Sequence, residues 1–138
     1  MRQGETVFVD SEAWIALALS RDPLHGQARE HWDILFGAAA KLHTSVPVVI
    51  ETFTFLVRNA NRDVALKWRE SIYEPTTVKI LPCELRDLEQ SWEYFLRADL
   101  HKLSAVDATS FAIMKRARIR RAYTFDHHFA VAGFLLAI

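Results

Sequence analysis

Short β-prone runs that end on an aspartate and lead into a helical segment constrain this chain more than any other feature. Thr6-Val7-Phe8-Val9 ends at Asp10 and is followed by a helical stretch from Ala13 to Leu19. Near the other end, Arg121 to Phe125 reads as a strand ending at Asp126. Between them strands and helices alternate. Asp22-Pro23 places an N-cap before a proline at the first helical position, opening a helix through about Ala40. Lys41 to Thr44 suits a short strand, Asn61 to Tyr73 a helix, Thr76 to Leu81 a strand and Glu84 to Arg97 a helix. Ser104 to Arg118 is a helix opened by the capping-box pattern Ser104-Ala105-Val106-Asp107. The apolar tail, Val131 to Ile138, suits a last buried strand.

Ser45 to Ala60 carries conflicting signals. The alternation Thr52-Phe53-Thr54-Phe55 favours a strand, whereas Ser45 followed by Pro47 marks a helix start. A strand of that length would be unusual, so the helix is preferred. The alternation as a whole predicts an α/β fold in three layers, a mostly parallel sheet with helices on both faces. Such sheets bind ligands in the crevice beyond the carboxyl ends of their strands.

Bulk properties narrow the function. A chain of 138 residues, 51% hydrophobic and 25% charged, fits one globular domain over residues 1–138. The formal net charge of +0 supplies no global attraction to nucleic acid or anionic lipid, so polyanion binding must be local. Cys83 is the only cysteine, which excludes an internal disulfide and a multi-cysteine zinc site. No pair among the six histidines has zinc-protease spacing, and adjacent His127 and His128 should diverge, which disfavours a histidine metal site. No run approaches the ~20 apolar residues of a membrane span, and the polar start lacks a signal peptide's apolar core. A cytoplasmic protein without a membrane role is expected.

The acids carry the chemistry. Asp10 and Asp126 each lie between a strand and a helix and could serve only as N-caps, and Asp107 could be the partner of Ser104 in its capping box. Glu51 lies within Val46-Pro47-Val48-Val49-Ile50-Glu51-Thr52-Phe53, too far along the helix to cap it. A carboxylate in that setting is expected to be buried, and to need pairing or a metal unless its face reaches solvent. If the four acids meet at one sheet edge, mutual repulsion destabilises the fold unless a cation intervenes. Hard oxygen ligands suit Mg²⁺ or Mn²⁺. That chemistry fits phosphodiester hydrolysis: one metal acidifies a bound water, and a second could stabilise the leaving oxygen. One or two ions are equally compatible with the residues.

The segments VFVDSEAWIAL, TSVPVVIETFTFLVR, LSAVDATSFAIM and AYTFDHHFAVAGF resemble PIN-domain ribonucleases, above all the VapC-type toxins of prokaryotic toxin–antitoxin pairs. The similarity runs from Val7 to Phe134, with all four acids in the family's order. It implies a PIN-like fold, RNA cleavage and a small antitoxin partner, and it too implies a helix over Ser45 to Ala60. It implies that Asp10 and Asp107 are direct Mg²⁺ ligands. Asp126 would complete their shell or a second metal site, and Glu51 would hold the attacking water. Ser11 and Thr124 match the family's small hydroxyl residues beside the acids, as supporting or phosphate contacts, although a helix-start serine and a strand threonine need no such role. Glu12 departs from the family, which usually has a small or neutral residue there. It either faces solvent or adds charge to the cleft.

Lys115, Arg116, Arg118, Arg120 and Arg121 crowd the end of the Ser104 helix. They either complement the helix dipole or lead RNA phosphates toward the acids, with Arg116 the foremost substrate contact. Arg58 and Arg62 are further candidates. Trp14, Trp32, Trp68 and Trp92 fall on helices and are read as core, the alternatives being an apolar groove for an antitoxin helix or stacking on bases. A homodimer is compatible with all of this. The rivals to a toxin nuclease are a PIN-like RNA-processing nuclease, a non-catalytic RNA-binding module and a phosphotransfer protein. The last is disfavoured because Asp10-Ser11-Glu12 lacks the second aspartate that a phosphatase would want.

Overall fold

Val7, Phe8 and Val9 are fully buried, as a central strand covered on both faces requires. They belong to β1 (Thr6–Val9) of a computed structural model that describes residues 1–74 and 78–138. The chain continues through α1 (Ser11–Ala18), α2 (His25–Gly37), β2 (Lys41–Ser45), α3 (Val46–Asn59), α4 (Arg62–Ile72) and β3 (Val78–Leu81). Then come α5 (Leu85–Ser91), a 3-10 turn (Trp92–Leu96), α6 (Ala105–Ala117), β4 (Arg121–Tyr123), α7 (His128–Val131) and β5 (Leu135–Leu136). The strands form one parallel sheet in the order β3-β2-β1-β4-β5. This is the α/β architecture expected.

The order places the topological switch between β1 and β4. From β1 the chain builds outward to β2 and β3, then returns to the other side of β1 to add β4 and β5. The loops leaving β1 and β4 therefore part from neighbouring strands, and a crevice opens between them. Val9 pairs with Tyr123 at the carboxyl ends of the two strands, so Asp10 and Thr124 emerge side by side.

The ambiguous segment is a helix. Ser45 caps α3 by accepting from the Val48 N–H at 3.3 Å, and Pro47 occupies the first turn, where its missing N–H costs nothing. Val48, Thr52 and Leu56 recur every four residues along its buried face. α6 is buried over the continuous run Asp107 to Met114, packed against α3 and α5. Phe111 anchors that side of the core, edge-on to Phe129 at 4.9 Å and Tyr94 at 5.1 Å between centroids.

Several local expectations are corrected. Asp22 does not start a helix: its carboxylate accepts from the Leu24 N–H at 2.8 Å in an Asx-type turn, and α2 begins at His25. The Glu84 to Arg97 segment divides into α5 and the 3-10 turn. β4 ends at Tyr123, where the Thr124 hydroxyl and the Asp126 carboxylate each accept from the backbone N–H two residues on and turn the chain out of the sheet. The tail is not a buried strand. It holds α7 and then a two-residue edge strand whose Leu135 and Leu136 are exposed. Thr76 and Thr77 of the predicted third strand lie outside the described residues. Of the tryptophans, Trp14 and Trp68 are core, Trp32 is half-buried and Trp92 is exposed.

Candidate active site

Asp10 stands at the N-cap position of α1 but makes no side-chain capping bond. Its carboxylate instead accepts from the Thr124 hydroxyl at 2.9 Å, and the Ser11 Oγ lies 3.5 Å from it. Asp107 also escapes the capping role. Ser104 Oγ accepts from the Asp107 N–H at 3.0 Å, while the Asp107 carboxyl is hydrogen-bonded to Asp126. Asp126 is not the cap of α7, which is His127; it makes an Asx-type turn by accepting from the His128 N–H at 2.9 Å, and it still faces Asp107. Its own N–H donates to Thr124 Oγ1 at 2.9 Å. One threonine thus ties the first acid to the last.

Glu51 reaches the same cleft from α3, where its Oε1 accepts from the Ser11 hydroxyl at 2.5 Å. It is half-exposed, not buried as expected. The helix turns Val48 and Thr52 inward and leaves Glu51 at the edge of that face, at the cleft mouth. The desolvation argument passes to other acids, since Asp10 is only 1% exposed and Asp107 8%.

Burial and crowding hold protons in this site. Desolvation raises the Asp10 pKa from 3.8 to about 7, against the lowering pull of Thr124 and the Ser11 backbone, with Glu12 and Glu51 adding to the rise. Desolvation raises Asp107 to about 9, helped by the charge of Asp10 and the hydrogen bond to Asp126. Burial works to raise Asp126 as well. Its hydrogen bonds from the His128 N–H, Asp107 and the His128 ring outweigh that, so it falls below the ordinary value. Asp107 therefore holds the proton of a shared pair. A divalent cation would take that proton's place.

His128 is the residue that sequence reasoning missed. Its ring lies inward at 9% exposure, while His127 is largely in solvent; the two rings do not diverge as expected but lie 4.5 Å apart, and both residues line the cleft. His128 Nδ1 lies 3.0 Å from Asp126 Oδ1, and Nε2 lies 2.6 Å from the His101 carbonyl. Ligand atoms of Asp107, Asp126 and His128 fall within 4.8 Å of one another, a spacing that one ion could span. The signal available was Asp126-x-His128, which lets an aspartate bond both the backbone and the ring two residues on.

The remaining candidates separate. Ser11 and Thr124 are buried supports for Glu51 and Asp10. Glu12 is exposed on the cleft wall, so both readings of it hold. Its pKa is raised first by desolvation and then by Asp126 and Glu51. Arg116 does not join the cleft. It lies at the other end of α6 from Asp107, pairs with Asp87 at 2.8 Å and Glu84 at 3.1 Å, and donates to the Pro82 carbonyl. It clamps the start of α5 to α6. Arg121 pairs with Glu5 at 2.7 Å at the amino ends of the strands, again away from the acids. Arg58 is exposed seven residues beyond Glu51, on the same side of α3 as the cleft-lining Phe55. The cleft has a volume of about 630 Å³, and its walls include Glu12, Glu51, Asp107, Asp126 and Lys102.

The chain is similar to known proteins along most of its length. Residues 7–135 match the family described as PIN domain. The chain is 37% identical over 132 residues to the 23S rRNA-specific endonuclease VapC20 of Mycobacterium tuberculosis, spanning 94% of this chain and 95% of that protein. A crystal structure of VapC20, described as a sarcin-ricin loop cleaving toxin, superposes with a TM-score of 0.81 at 35% identity, over 94% of this chain and 96% of that one. The fold is shared with VapBC2 from Rickettsia felis bound to promoter DNA, at a TM-score of 0.71, 8% identity and coverage of 95% and 96%. It is shared too with FitAcB from Neisseria gonorrhoeae, at 0.67, 16% identity and coverage of 94% and 95%.

Proposed function

The chain belongs to the PIN-domain family, and from that premise we propose that it is a divalent-metal-dependent endoribonuclease acting as the toxin of a toxin–antitoxin pair. The observation that carries the reading is the convergence of Glu51, Asp107 and Asp126 on one cleft at the β1/β4 switch point, with Asp10 buried close enough beside them for its charge to raise the Asp107 pKa. The 37% identity with VapC20 over nearly the whole of both chains makes 23S ribosomal RNA the first substrate to test.

Asp10, Asp107 and Asp126 would hold the metal, with Mg²⁺ the expected ion and Mn²⁺ an alternative for the same oxygen donors. The bound ion supplies an acidified water and charge for the phosphoryl oxygens. Thr124 would hold the buried Asp10 carboxylate by its hydroxyl, and it sets the turn that carries Asp126. Ser11 fixes the Glu51 carboxyl at the mouth, from which Glu51 would orient the attacking water and take its proton. Two buried acids that retain protons without a cation are prepared to exchange them for one.

An antitoxin helix would dock where Trp14, Trp32 and Trp68 line a groove of about 460 Å³ between α1, α2 and α4. Trp14 meets Trp68 edge-on at 5.9 Å, an aromatic wall against which an apolar helix face would pack. A homodimer would use Leu85, Leu88, Trp92, Phe95 and Leu96, an exposed apolar stripe at helical spacing. Among the described residues no helix is long and apolar enough to cross a membrane. We assign the protein to the cytoplasm, where its RNA would be, as a single nuclease domain over residues 1–138.

The test is expression with and without the co-encoded small partner. Growth arrest relieved by that partner and by Asp10→Asn is expected. Harmless expression with metal-dependent RNA cleavage in vitro would favour an RNA-processing nuclease outside such a pair.

A further inference from the structure

An acidic cleft must admit a polyanion, and the metal alone does not grip the phosphates on either side of the scissile bond. Among the described residues lining the cleft, Lys102 is the one lysine or arginine. Its ammonium makes no ion pair among the described residues. Resting on the nuclease reading above, we infer that Lys102 binds an RNA phosphate flanking the scissile bond.

The backbone around Lys102 is built to present it. Its φ is +56°, in the left-handed region that a side chain other than glycine, asparagine or aspartate seldom adopts. Such a conformation persists where neighbouring structure holds it. Leu100 and Leu103 on either side are buried in the core at 5% and 9% exposure. The carbonyl of His101, immediately before the lysine, lies 2.6 Å from His128 Nε2. His128 in turn contacts Asp126. Arg97 closes the base of the loop by donating to the Val131 carbonyl at 3.0 Å. The loop is therefore fastened to the acidic centre itself, and Lys102 stands two residues before the cap of the helix that carries Asp107. A lysine free to float would need none of these anchors.

The conformation also supplies clean variants. Lys102→Asn and Lys102→Gly both tolerate positive φ, so each removes the charge while leaving the turn intact. Lys102→Arg restores the charge. The probe is a 23S ribosomal RNA fragment, cleaved with Mg²⁺ and, separately, bound by the same variants in an Asp10→Asn background. We expect the asparagine and glycine variants to raise KM about tenfold with little change in kcat, as loss of one charge-assisted contact would. The slope of log affinity against log salt should become shallower by about one unit. Melting temperatures should hold or rise, and the arginine variant should recover most of the affinity.

Unchanged KM and salt slope in a protein that cleaves would overturn the assignment and leave the nuclease reading standing. So would a loss of affinity for the co-encoded partner with RNA binding intact, which would give Lys102 to that partner. Failure of the unsubstituted protein to cleave any RNA with Mg²⁺ or Mn²⁺ would overturn the nuclease reading, and this inference with it.

Discussion

Thr124 donates its hydroxyl hydrogen to Asp10 at 2.9 Å while accepting from the backbone of Asp126, so one side chain spans the junction of β1 and β4 and touches both acids. Its place follows from strand register: Val9 pairs with Tyr123, and the next residue on each strand leaves the sheet at the crevice. Thr124→Val keeps the shape but removes the donor that lowers the Asp10 pKa, so Asp10 should ionise less readily. Metal affinity at pH 7 should fall about tenfold and the acid limb of the cleavage profile should move to higher pH, by isothermal titration and initial rates. Thr124→Ser should behave nearly as wild type. A wild-type profile for the valine variant would remove Thr124 from the site.

The buried acids make the metal-free fold sensitive to pH, with a definite sign. Asp10 and Asp107 have folded-state pKa values of about 7 and about 9, against an ordinary 3.8. Between those limits the folded state holds more protons than the unfolded one, so stability falls as pH rises from about 4 to about 9. Asp107→Asn removes the larger share of that penalty. Without metal it should melt about 5 °C higher than wild type at pH 8 and show a flatter pH dependence by circular dichroism. Equal melting temperatures at pH 8 would mean that Asp107 is not strained in the metal-free protein.

Metal binding should release protons for the same reason. At pH 7 Asp107 is protonated and Asp10 partly so, and both must ionise to serve as ligands. Titration of Mn²⁺ in buffers of differing ionisation enthalpy should show release of about one to two protons per ion bound. The added ion should raise the melting temperature of wild type but not of Asp107→Asn. Binding without proton release would contradict the shared-proton description.

The tryptophan groove separates toxicity from its relief. Trp32 is half-buried at the edge of the groove, 6.0 Å from Trp14, and lies away from the acids. Trp32→Ala should leave cleavage intact while weakening the antitoxin by about 1 kcal/mol or more, as truncation of an interface aromatic does. Growth arrest that the partner no longer relieves is the expected outcome. Full relief would place the partner elsewhere.

Much of this was legible in the sequence because strand-then-aspartate reports an element and, at Asp10, its end, although β4 stops at Tyr123, two residues short of the expected Phe125. The helix over Ser45 to Ala60 was legible from its cap and its length, against local β propensity. What escaped depended on partners distant in sequence. Arg116 looked like a phosphate contact until Asp87, 29 residues away, was seen to hold it. Glu51 looked buried because its neighbours are apolar, yet helical rotation sets it at the edge of the inward face. His128 was discounted for its adjacency to His127. The turn after Asp126, which buries one ring and lays the other against it, is not written in spacing alone. The tail's hydrophobicity likewise predicted burial that a two-residue edge strand cannot provide.

The central claim is that the converging acids form a metal-dependent RNA-cleaving site. Incubating purified wild type and Asp107→Asn with 23S ribosomal RNA, with Mg²⁺ or Mn²⁺ and with chelator, tests it most directly. The account predicts discrete cleavage by wild type that chelator abolishes, and none by a fully folded Asp107→Asn protein. Undiminished cleavage by Asp107→Asn, or by wild type in chelator, would contradict it.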